Sequence, residues 1–339
     1  MAFLGLFGNY NKPGPGVSKD EPKKAAPIRF FEIFGRKFTK LVQANLIFMI
    51  PAAVVFLLMG MIFLFVLPLI PNYALNGVTL PGGIPFTTEL MSLMYLVPLP
   101  LILLSPFNAG LTFITRNFAR EEHAFVWSDF WASVKNNFKL FLTNGIIVYF
   151  VYVVLSFSMI YYYSNFQNDS GNYFFLIPFC LCLLIAIVFL FAQYYLPVMF
   201  ITFDLKFTQC YRNAFIFSLA GLGRNLLLTV IFGVALYLFV AVMPIMSLSI
   251  MITLVVMVLI LFALVSYLVN FAVYPIIERY LINPYQERME AEKNGGAKEP
   301  EKEDEQFDFA IPTEEDDGDD EKYVYVNGRL MKKSELDDK

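Results

Sequence analysis

Long apolar stretches alternate with short charged ones along this chain of 339 residues. Residues 41–115 contain one charged side chain, that of Glu89, and residues 140–203 contain one, that of Asp169. Residues 226–277 contain none. Because a helix of roughly 20 apolar residues matches the thickness of a bilayer's hydrocarbon core, the pattern predicts an all-α, polytopic membrane protein with about six transmembrane helices.

The lengths of the apolar stretches and the turn residues between them indicate where each span begins and ends. The predicted spans are 41–70, 90–115, 140–162, 173–203, 226–244 and 249–277. The last two divide one uncharged run that is too long for a single span, with the break placed between Pro244 and Ser249. Pro51, Pro68 and Pro98 predict bends or ends in the first two spans, which helices in a bilayer tolerate.

Amphipathic segments precede the first and third spans. In residues 28–40, phenylalanines recur at helical spacing among Arg and Lys residues, and residues 126–139 carry tryptophan and phenylalanine with two lysines. This composition is typical of helices that lie in the headgroup layer. We therefore expect interfacial amphipathic helices, the second beginning near Phe130 with Ser128 or Asp129 as its cap.

Lys and Arg residues lie on only one side of the predicted spans. Of the 25 in the chain, eight precede the first span, four lie between the second and third, three between the fourth and fifth, and ten follow the sixth. The loops on the other side contain none. The positive-inside rule then predicts that both termini are cytoplasmic.

Composition divides the chain into three parts. Residues 1–28 form an N-terminal cytoplasmic arm, residues 29–282 the membrane domain, and residues 283–339 an acidic cytoplasmic tail that is predicted to be disordered. Residues 287–321 contain sixteen Asp and Glu residues, which offset the basic segments and leave a net charge of −4. Alternating apolar and polar residues around Asn327-Gly328 are a hairpin signal, and this end is either simply solvated or a short docking motif.

Catalytic and metal-binding motifs are absent from the sequence. It has no GxxxxGK[ST] phosphate loop and no HExxH, and His123 is its single histidine. The three cysteines do not suggest a disulfide framework, and no basic face suits nucleic acid. We therefore expect no enzymatic activity, no catalytic residue, no cofactor, no metal and no nucleic-acid partner, while the lipid bilayer is an expected partner.

Uncharged polar residues inside the spans are candidates for a polar membrane face. The candidates are Asn108, Thr112 and Thr115 at helical spacing on the second span, Gln193 in the fourth and Asn270 in the sixth. Gly110, beside the first three, permits close approach of another helix. Such polar residues either hydrogen-bond between helices and determine packing or line a path for a small neutral solute, and both interpretations stay open.

The charged segment between the second and third spans is a candidate for docking. Its candidate residues combine aromatic and charged side chains, and they are Arg116, Arg120, Asp129, Trp131, Lys135 and Lys139. The two arginines are expected to pair with Glu121, Glu122 or Asp129. The segment is either an anchor in the headgroup layer or a docking surface for a cytoplasmic or membrane partner.

Three motifs carry a resemblance to a known family. They are FFEIFGRKFTKLVQANL before the first span, SPFNAGLTFITRNFAREE at the end of the second and WSDFWASVKNNFK before the third. The chain thereby resembles the YesL-like family of bacterial membrane proteins, a domain of unknown function, over about residues 8–282. The resemblance implies a location in the bacterial cell membrane and an association with carbohydrate uptake systems, including ABC-type transporters. It supplies no catalytic or ligand-binding residues.

Two functions are compatible with these observations. The first is a non-enzymatic accessory or regulatory component of carbohydrate transport, with transporter subunits or other membrane proteins as partners. The second is a channel or facilitator for a small neutral solute, lined by Asn108, Thr112, Gln193 and Asn270. The oligomeric state does not follow from the sequence.

Overall fold

The apolar stretches of the sequence form long helices. A computed structural model of the chain describes residues 25–69, 74–80, 84–168, 172–242, 255–284, 286–287, 323–326 and 329–332. The predicted N-terminal arm up to residue 24, the predicted break between Pro244 and Ser249, and most of the acidic tail lie outside these residues.

Eight α-helices make up most of the described part of the chain. They are α1 (Ala26–Phe65), α2 (Thr88–Leu96), α3 (Pro100–Ala119), α4 (Val126–Asn168), α5 (Leu176–Thr202), α6 (Phe207–Ala220), α7 (Leu222–Val242) and α8 (Phe262–Ile277). Short 3-10 turns cover Leu67–Leu69 and Tyr173–Phe175. Wider π-helical turns cover Met257–Leu261 and Glu278–Ile282, one on each side of α8.

The number of spans agrees with the prediction from the sequence. Five helical segments are long and apolar enough to cross a membrane, and they are Ala26–Phe65, Leu90–Ala119, Val126–Asn168, Tyr173–Thr202 and Met257–Ile282. The helices α6 and α7 meet at an angle of 86° and would supply a sixth span together. The fold is therefore the expected one, an all-α protein with several membrane spans.

The two predicted amphipathic segments continue into their spans without a break. Residues 28–40 belong to the first turns of α1, and residues 126–139 are the first turns of α4. With 40 residues at 1.5 Å per residue, α1 is about 60 Å long, roughly twice the thickness of the hydrocarbon core. The segments therefore extend spanning helices beyond that core.

The helix α4 begins four residues earlier than predicted. Its first residue is Val126, and a carboxylate oxygen of Asp129 accepts a 2.7 Å hydrogen bond from the backbone N–H of Phe125. Asp129 thus satisfies an N–H group that the helix start leaves free, but it does so from inside the first turn. The predicted start near Phe130 is wrong because Ser128 and Asp129 suit either register, and local capping chemistry does not distinguish them.

The helix α3 lies at the centre of the bundle and contacts α1, α4, α5 and α8. Most of its second half, residues 109–119, is buried. Two glycines let α4 approach closely: a side chain at Gly110 would collide with Phe130, and one at Gly145 would collide with Ser105. Small residues serve this purpose at helix contacts in membranes, so the close approach predicted at Gly110 is confirmed.

Two groups of buried apolar side chains hold the helices together. The first joins α5, α6 and the second half of α8, and Tyr195 and Phe217 are among its largest members. The second joins α1, α3, the start of α4 and the first half of α8, and it includes Phe118 and Phe130. Because α8 contributes to both groups, it ties the first helix of the chain to α5 and α6.

Two short antiparallel hairpins accompany the helices. The strand β1 (Ala74–Leu80) pairs with β2 (Ile84–Thr87) in a loop for which the sequence indicated only turns. The strand β3 (Tyr323–Val326) pairs with β4 (Arg329–Lys332). Val326 is the register partner of Arg329, and the hairpin signal of the sequence, Asn327-Gly328, lies between these strands but outside the described residues.

The break between α2 and α3 is stabilised by two tyrosines of α4. Proline has no N–H, so Pro98 cannot donate the helical hydrogen bond to the carbonyl of Met94. The hydroxyl of Tyr152 donates to that carbonyl instead, at 3.0 Å, and the hydroxyl of Tyr149 donates to the neighbouring carbonyl of Tyr95, at 2.9 Å. The tyrosines thus replace helical hydrogen bonds lost at the break.

Removing both hydroxyls should destabilise the fold. In the double variant Tyr149→Phe with Tyr152→Phe, two carbonyls lose their donors, and each loss should cost about 1 kcal/mol of unfolding free energy. Equilibrium unfolding of the purified protein in detergent measures the change. Tyr173→Phe, at an exposed tyrosine, is the control and should unfold as the wild type does; equal stability of all three proteins would contradict the role of these hydroxyls.

Candidate functional site

Charged residues of the described helices gather at one end of the bundle. There the start of α1 meets the connection between α3 and α4, since Arg29 pairs with Glu121 at 3.0 Å. The end of α8 is close by, because the guanidinium of Arg120 lies 5.1 Å from the ring centre of Tyr274. We call this the charged end.

Arg116 is buried at the charged end, within the last turn of α3. Its guanidinium donates to the backbone carbonyl of Ile201 at 3.1 Å and to the hydroxyl of Thr202 at 3.0 Å, both at the end of α5. It also donates to the side-chain oxygen of Asn117 at 2.8 Å and lies over the ring of Phe113. Hydrogen bonds of this kind lower the cost of burying a charge, so Arg116 joins α3 to α5. None of these contacts is the predicted carboxylate pairing.

Thr115 and Asn270 of the predicted polar face lie together between α3 and α8. The hydroxyl of Thr115 is 2.7 Å from that of Ser266 and accepts a 3.0 Å hydrogen bond from the amide of Asn270. The same amide donates to the carbonyl of Ser266 at 2.7 Å. All three residues thus join the two helices.

Gln193 belongs to a second polar group, between α4, α5 and α6. Its side-chain oxygen accepts a 3.2 Å hydrogen bond from the amide of Asn144, and the hydroxyl of Tyr211 donates to the oxygen of Asn144 at 2.5 Å. Asn144 is one turn from Phe141, whose carbonyl accepts from Ser105. Since Thr115 follows Ser105 by ten residues, the two polar groups are separated by about 15 Å along α3.

The structure therefore divides the five predicted polar residues. Thr115 and Asn270 form one group and Gln193 the other, while Thr112 is buried on α3 and Asn108 is half-buried. Two amide atoms, Oδ1 of Asn270 and Nε2 of Gln193, are buried without a hydrogen-bond partner among the described residues. The remaining polar contacts join helices, as the packing interpretation expects.

Asn45 is a buried polar residue that the sequence reasoning did not single out. From the middle of α1 its amide donates to the carbonyls of Met257 and Val258, at 3.0 and 2.7 Å, and its oxygen accepts from the N–H of Ala263 at 2.9 Å. These groups flank the π-helical turn before α8, where the regular ladder is interrupted. The signal in the sequence is a pair of amides, Gln43 and Asn45, near the start of a long apolar run.

The buried amide of Asn225 stabilises the bend between α6 and α7. Asn225 accepts a 2.8 Å hydrogen bond from the hydroxyl of Tyr195 and donates to the carbonyl of Ser218 at 3.0 Å. A side chain at Gly221 would collide with that same hydroxyl. The bend therefore requires glycine at this position, where the chain turns by 86°.

Glu121 links the end of α3 to the start of α1. Its backbone is left-handed, with φ of 64°, a conformation that costs a non-glycine residue roughly 1–2 kcal/mol. Its carboxylate pairs with both Arg29 and Arg36, whereas Glu122 pairs with Arg120. The predicted pairing is thus confirmed for Arg120. Hydrogen bonding to Arg36 and then to Arg29 holds the pKa of Glu121 below its usual value, against an opposing effect of burial.

The first turns of α4 have one buried and one outward-facing side. Phe130, Ser133, Val134, Asn137 and Phe141 are buried. The outward-facing side carries Trp127, Trp131, Lys135, Phe138 and Lys139, and we call these five residues the α4 outer face. Trp127 is 61% exposed and Phe138 is 43% exposed, and both lysines are exposed. Trp131 is partly buried because its ring lies against Phe107 and Phe130.

The described residues contain no group of three or more His, Cys, Asp and Glu side chains that could hold a metal ion. The three cysteines are free, and Cys210 is buried.

Replacing Asn45 by leucine should destabilise the contact between α1 and α8. Three backbone groups around the π-helical turn would lose their partner, and buried polar groups left unpaired cost about 1–3 kcal/mol each. Gln43→Leu, at an exposed position on the same helix, is the matched control. Thermal unfolding in detergent compares the two, and an equal effect of both substitutions would show that Asn45 does not stabilise the turn.

Glu121→Gln should remove a pH-dependent contribution to stability. Because the pKa of Glu121 is lower in the folded chain, its ion pairs stabilise fully above the unfolded pKa, about 4.3, and are lost as the pH falls through the folded pKa. The stability difference between wild type and variant should therefore shrink on acidification, and also in about 1 M salt. Unfolding measured across pH 3 to 7 tests this, and a difference independent of pH would contradict it.

Comparison with known proteins identifies a family for one part of the chain. No curated protein and no solved structure matches the chain. A family match covers residues 75–159, which include most of β1, the strand β2, the helices α2 and α3, and most of α4. In this part, which holds the central helix and the α4 outer face, the chain is similar to the family described as Protein of unknown function, DUF624.

Proposed function

We propose that the protein is a non-enzymatic accessory component of a bacterial membrane transport system and that the α4 outer face binds its partner. One observation carries this proposal: the α4 outer face presents aromatic and cationic side chains that the bundle itself does not bury. Trp127 and Phe138 are exposed, while Phe130, on the adjoining inward side of the same helix, is fully buried. Tryptophan is among the residues that dominate protein–protein binding, and phenylalanine is enriched in the cores of such interfaces.

The position of the α4 outer face favours a partner outside the hydrocarbon core. Its residues end at Lys139, where the predicted third span begins, and they lie at the charged end. The positive-inside rule places that end in the cytoplasm, where peripheral subunits of transporters would have access to it. Aromatic residues also accumulate in the headgroup layer, so anchoring to lipid is the competing explanation that the experiment has to exclude.

The type of partner comes from the family resemblance. The YesL-like resemblance implies an association with carbohydrate uptake systems of the ABC type, and the DUF624 match covers the α4 outer face. Transporter subunits are therefore the partners we propose.

A second candidate function is a path for a small neutral solute. It is favoured by two buried amide atoms of the predicted polar face that lack a hydrogen-bond partner among the described residues, Oδ1 of Asn270 and Nε2 of Gln193. Such atoms would accept and donate hydrogen bonds to a solute or to water. The 15 Å separation of the two polar groups, and the use of Thr115 in packing, favour the accessory role. In liposomes containing the purified protein, Asn270→Ala would abolish solute flux only if the path exists.

Recovery of partners by the tagged, full-length protein tests the accessory role. In the double variant Trp127→Ala with Lys135→Ala, recovery of transporter subunits should fall at least tenfold, since a central aromatic contact contributes about 2 kcal/mol or more. Phe150→Ala is the control, because Phe150 is 66% exposed further along the same helix. Mass spectrometry quantifies the recovered proteins. Trp131 is left intact because it packs inside the bundle.

Three outcomes would contradict the accessory role or its binding surface. Partner recovery that stays the same in the double variant would exclude the α4 outer face as the binding surface. An equal loss in Phe150→Ala would show that the substitutions act through general association with lipid or through folding. If the tagged protein is recovered at its normal level but without any other protein, the support for a partner is removed.

A further inference from the structure

The α4 outer face contains cations without ion-pair partners. Neither Lys135 nor Lys139 forms an ion pair with any residue that the structure describes, and both are exposed. Elsewhere at the charged end, Arg29 and Arg36 pair with Glu121. At the charged end, the described helices and their connections contain twelve Lys and Arg residues but only seven Asp and Glu residues. The charged end therefore carries a net positive charge, and the two lysines of α4 are available to bind an acidic group.

The same chain contains an acidic segment whose charge is opposite to that of the two α4 lysines. Residues 287–321 hold sixteen acidic residues, and at the centre of the segment lies the sequence EDEQFDFAIPTEEDD. Phe307, Phe309 and Ile311 are its main apolar residues, and carboxylates lie on both sides of them. The α4 outer face has the complementary arrangement, with exposed rings of Trp127 and Phe138 beside two lysines.

The attachment point of the acidic segment lies at the charged end. The helix α8 continues through the turn Glu278–Ile282, and Leu281 and Ile282 are buried in the same group of side chains as the ends of α5 and α6. About twenty residues separate Glu287 from Phe307. Two sites joined by a short linker meet at an effective concentration in the millimolar range, far above that of a free partner.

We propose that the acidic segment, residues 303–317, binds the α4 outer face of its own chain. In this contact Phe307 and Phe309 lie against Trp127 and Phe138, and the flanking carboxylates pair with Lys135 and Lys139. The consequence for regulation rests on the proposed function: the segment competes with the transport partner for the same face, and a partner or a modification that displaces it frees the site.

Photo-crosslinking in the full-length protein tests the contact. Phe307 is replaced by benzoylphenylalanine, the protein is placed in neutral phosphatidylcholine nanodiscs, and crosslinked peptides are mapped by mass spectrometry. Crosslinks should fall on residues 126–140. The crosslink yield should drop at least fivefold in the double variant Lys135→Glu with Lys139→Glu. It should stay unchanged in the control Lys206→Glu, which replaces an exposed lysine by glutamate at the start of α6.

A charge exchange separates specific pairing from general repulsion. Asp304→Lys with Glu305→Lys, added to the double glutamate variant, should restore the crosslink to at least half of its original yield. Crosslinks to other helices would overturn the proposal, as would a crosslink yield that does not change with the charge of the α4 outer face. So would binding of this face to vesicles with anionic lipid in the absence of any crosslink in neutral nanodiscs, since lipid would then be the occupant.

A separate measurement keeps this proposal distinct from the accessory role. In the full-length variant with Asp304→Asn, Glu305→Gln and Asp308→Asn, recovery of transporter subunits should rise severalfold, because the competing segment binds more weakly. If no partner is recovered from this variant or from the wild type, the accessory role fails while the crosslink result still decides the intramolecular contact. If partners are recovered equally from both, competition is refuted.

Discussion

The architecture depends on one constraint: backbone and side-chain polar groups inside an apolar bundle need partners, because lipid supplies none. At two places where a helix of this protein departs from regular geometry, a side chain of a neighbouring helix provides a hydrogen bond. Tyr149 and Tyr152 donate to backbone carbonyls at the break at Pro98, and Asn45 bonds to backbone groups of the π-helical turn before α8. These two irregular positions are therefore also places where helices are joined.

The same constraint explains how the polar residues of the spans are used. Thr115, Ser266 and Asn270 join α3 to α8, and Arg116 joins α3 to α5. Since α3 also contacts α4 through Gly110, the central helix is held from several sides by polar contacts and close packing. The aromatic and cationic residues at the start of α4, on which the proposed function rests, lie within the part that matches DUF624.

Sequence reasoning and structure differ mainly at positions where local chemistry fits two arrangements. Ser128 and Asp129 suit a helix start at either of two registers, and the helix begins at the earlier one, Val126. Trp131 was a docking candidate, yet it is partly buried against Phe107, whereas Trp127 is exposed. Arg116 was expected to pair with a carboxylate, but it binds backbone and side-chain groups of α5, a helix about 85 residues away in sequence.

Patterns that act within a single segment were sufficient to predict the all-α class and the number of spans. Hydropathy and turn chemistry are properties of neighbouring residues, so a single chain reveals them. The partners of Asn45, Gln193 and Asn270 depended instead on tertiary structure. A polar residue in an apolar run needs a hydrogen bond, but whether the bond comes from 4 or from about 200 residues away is decided only when the helices pack.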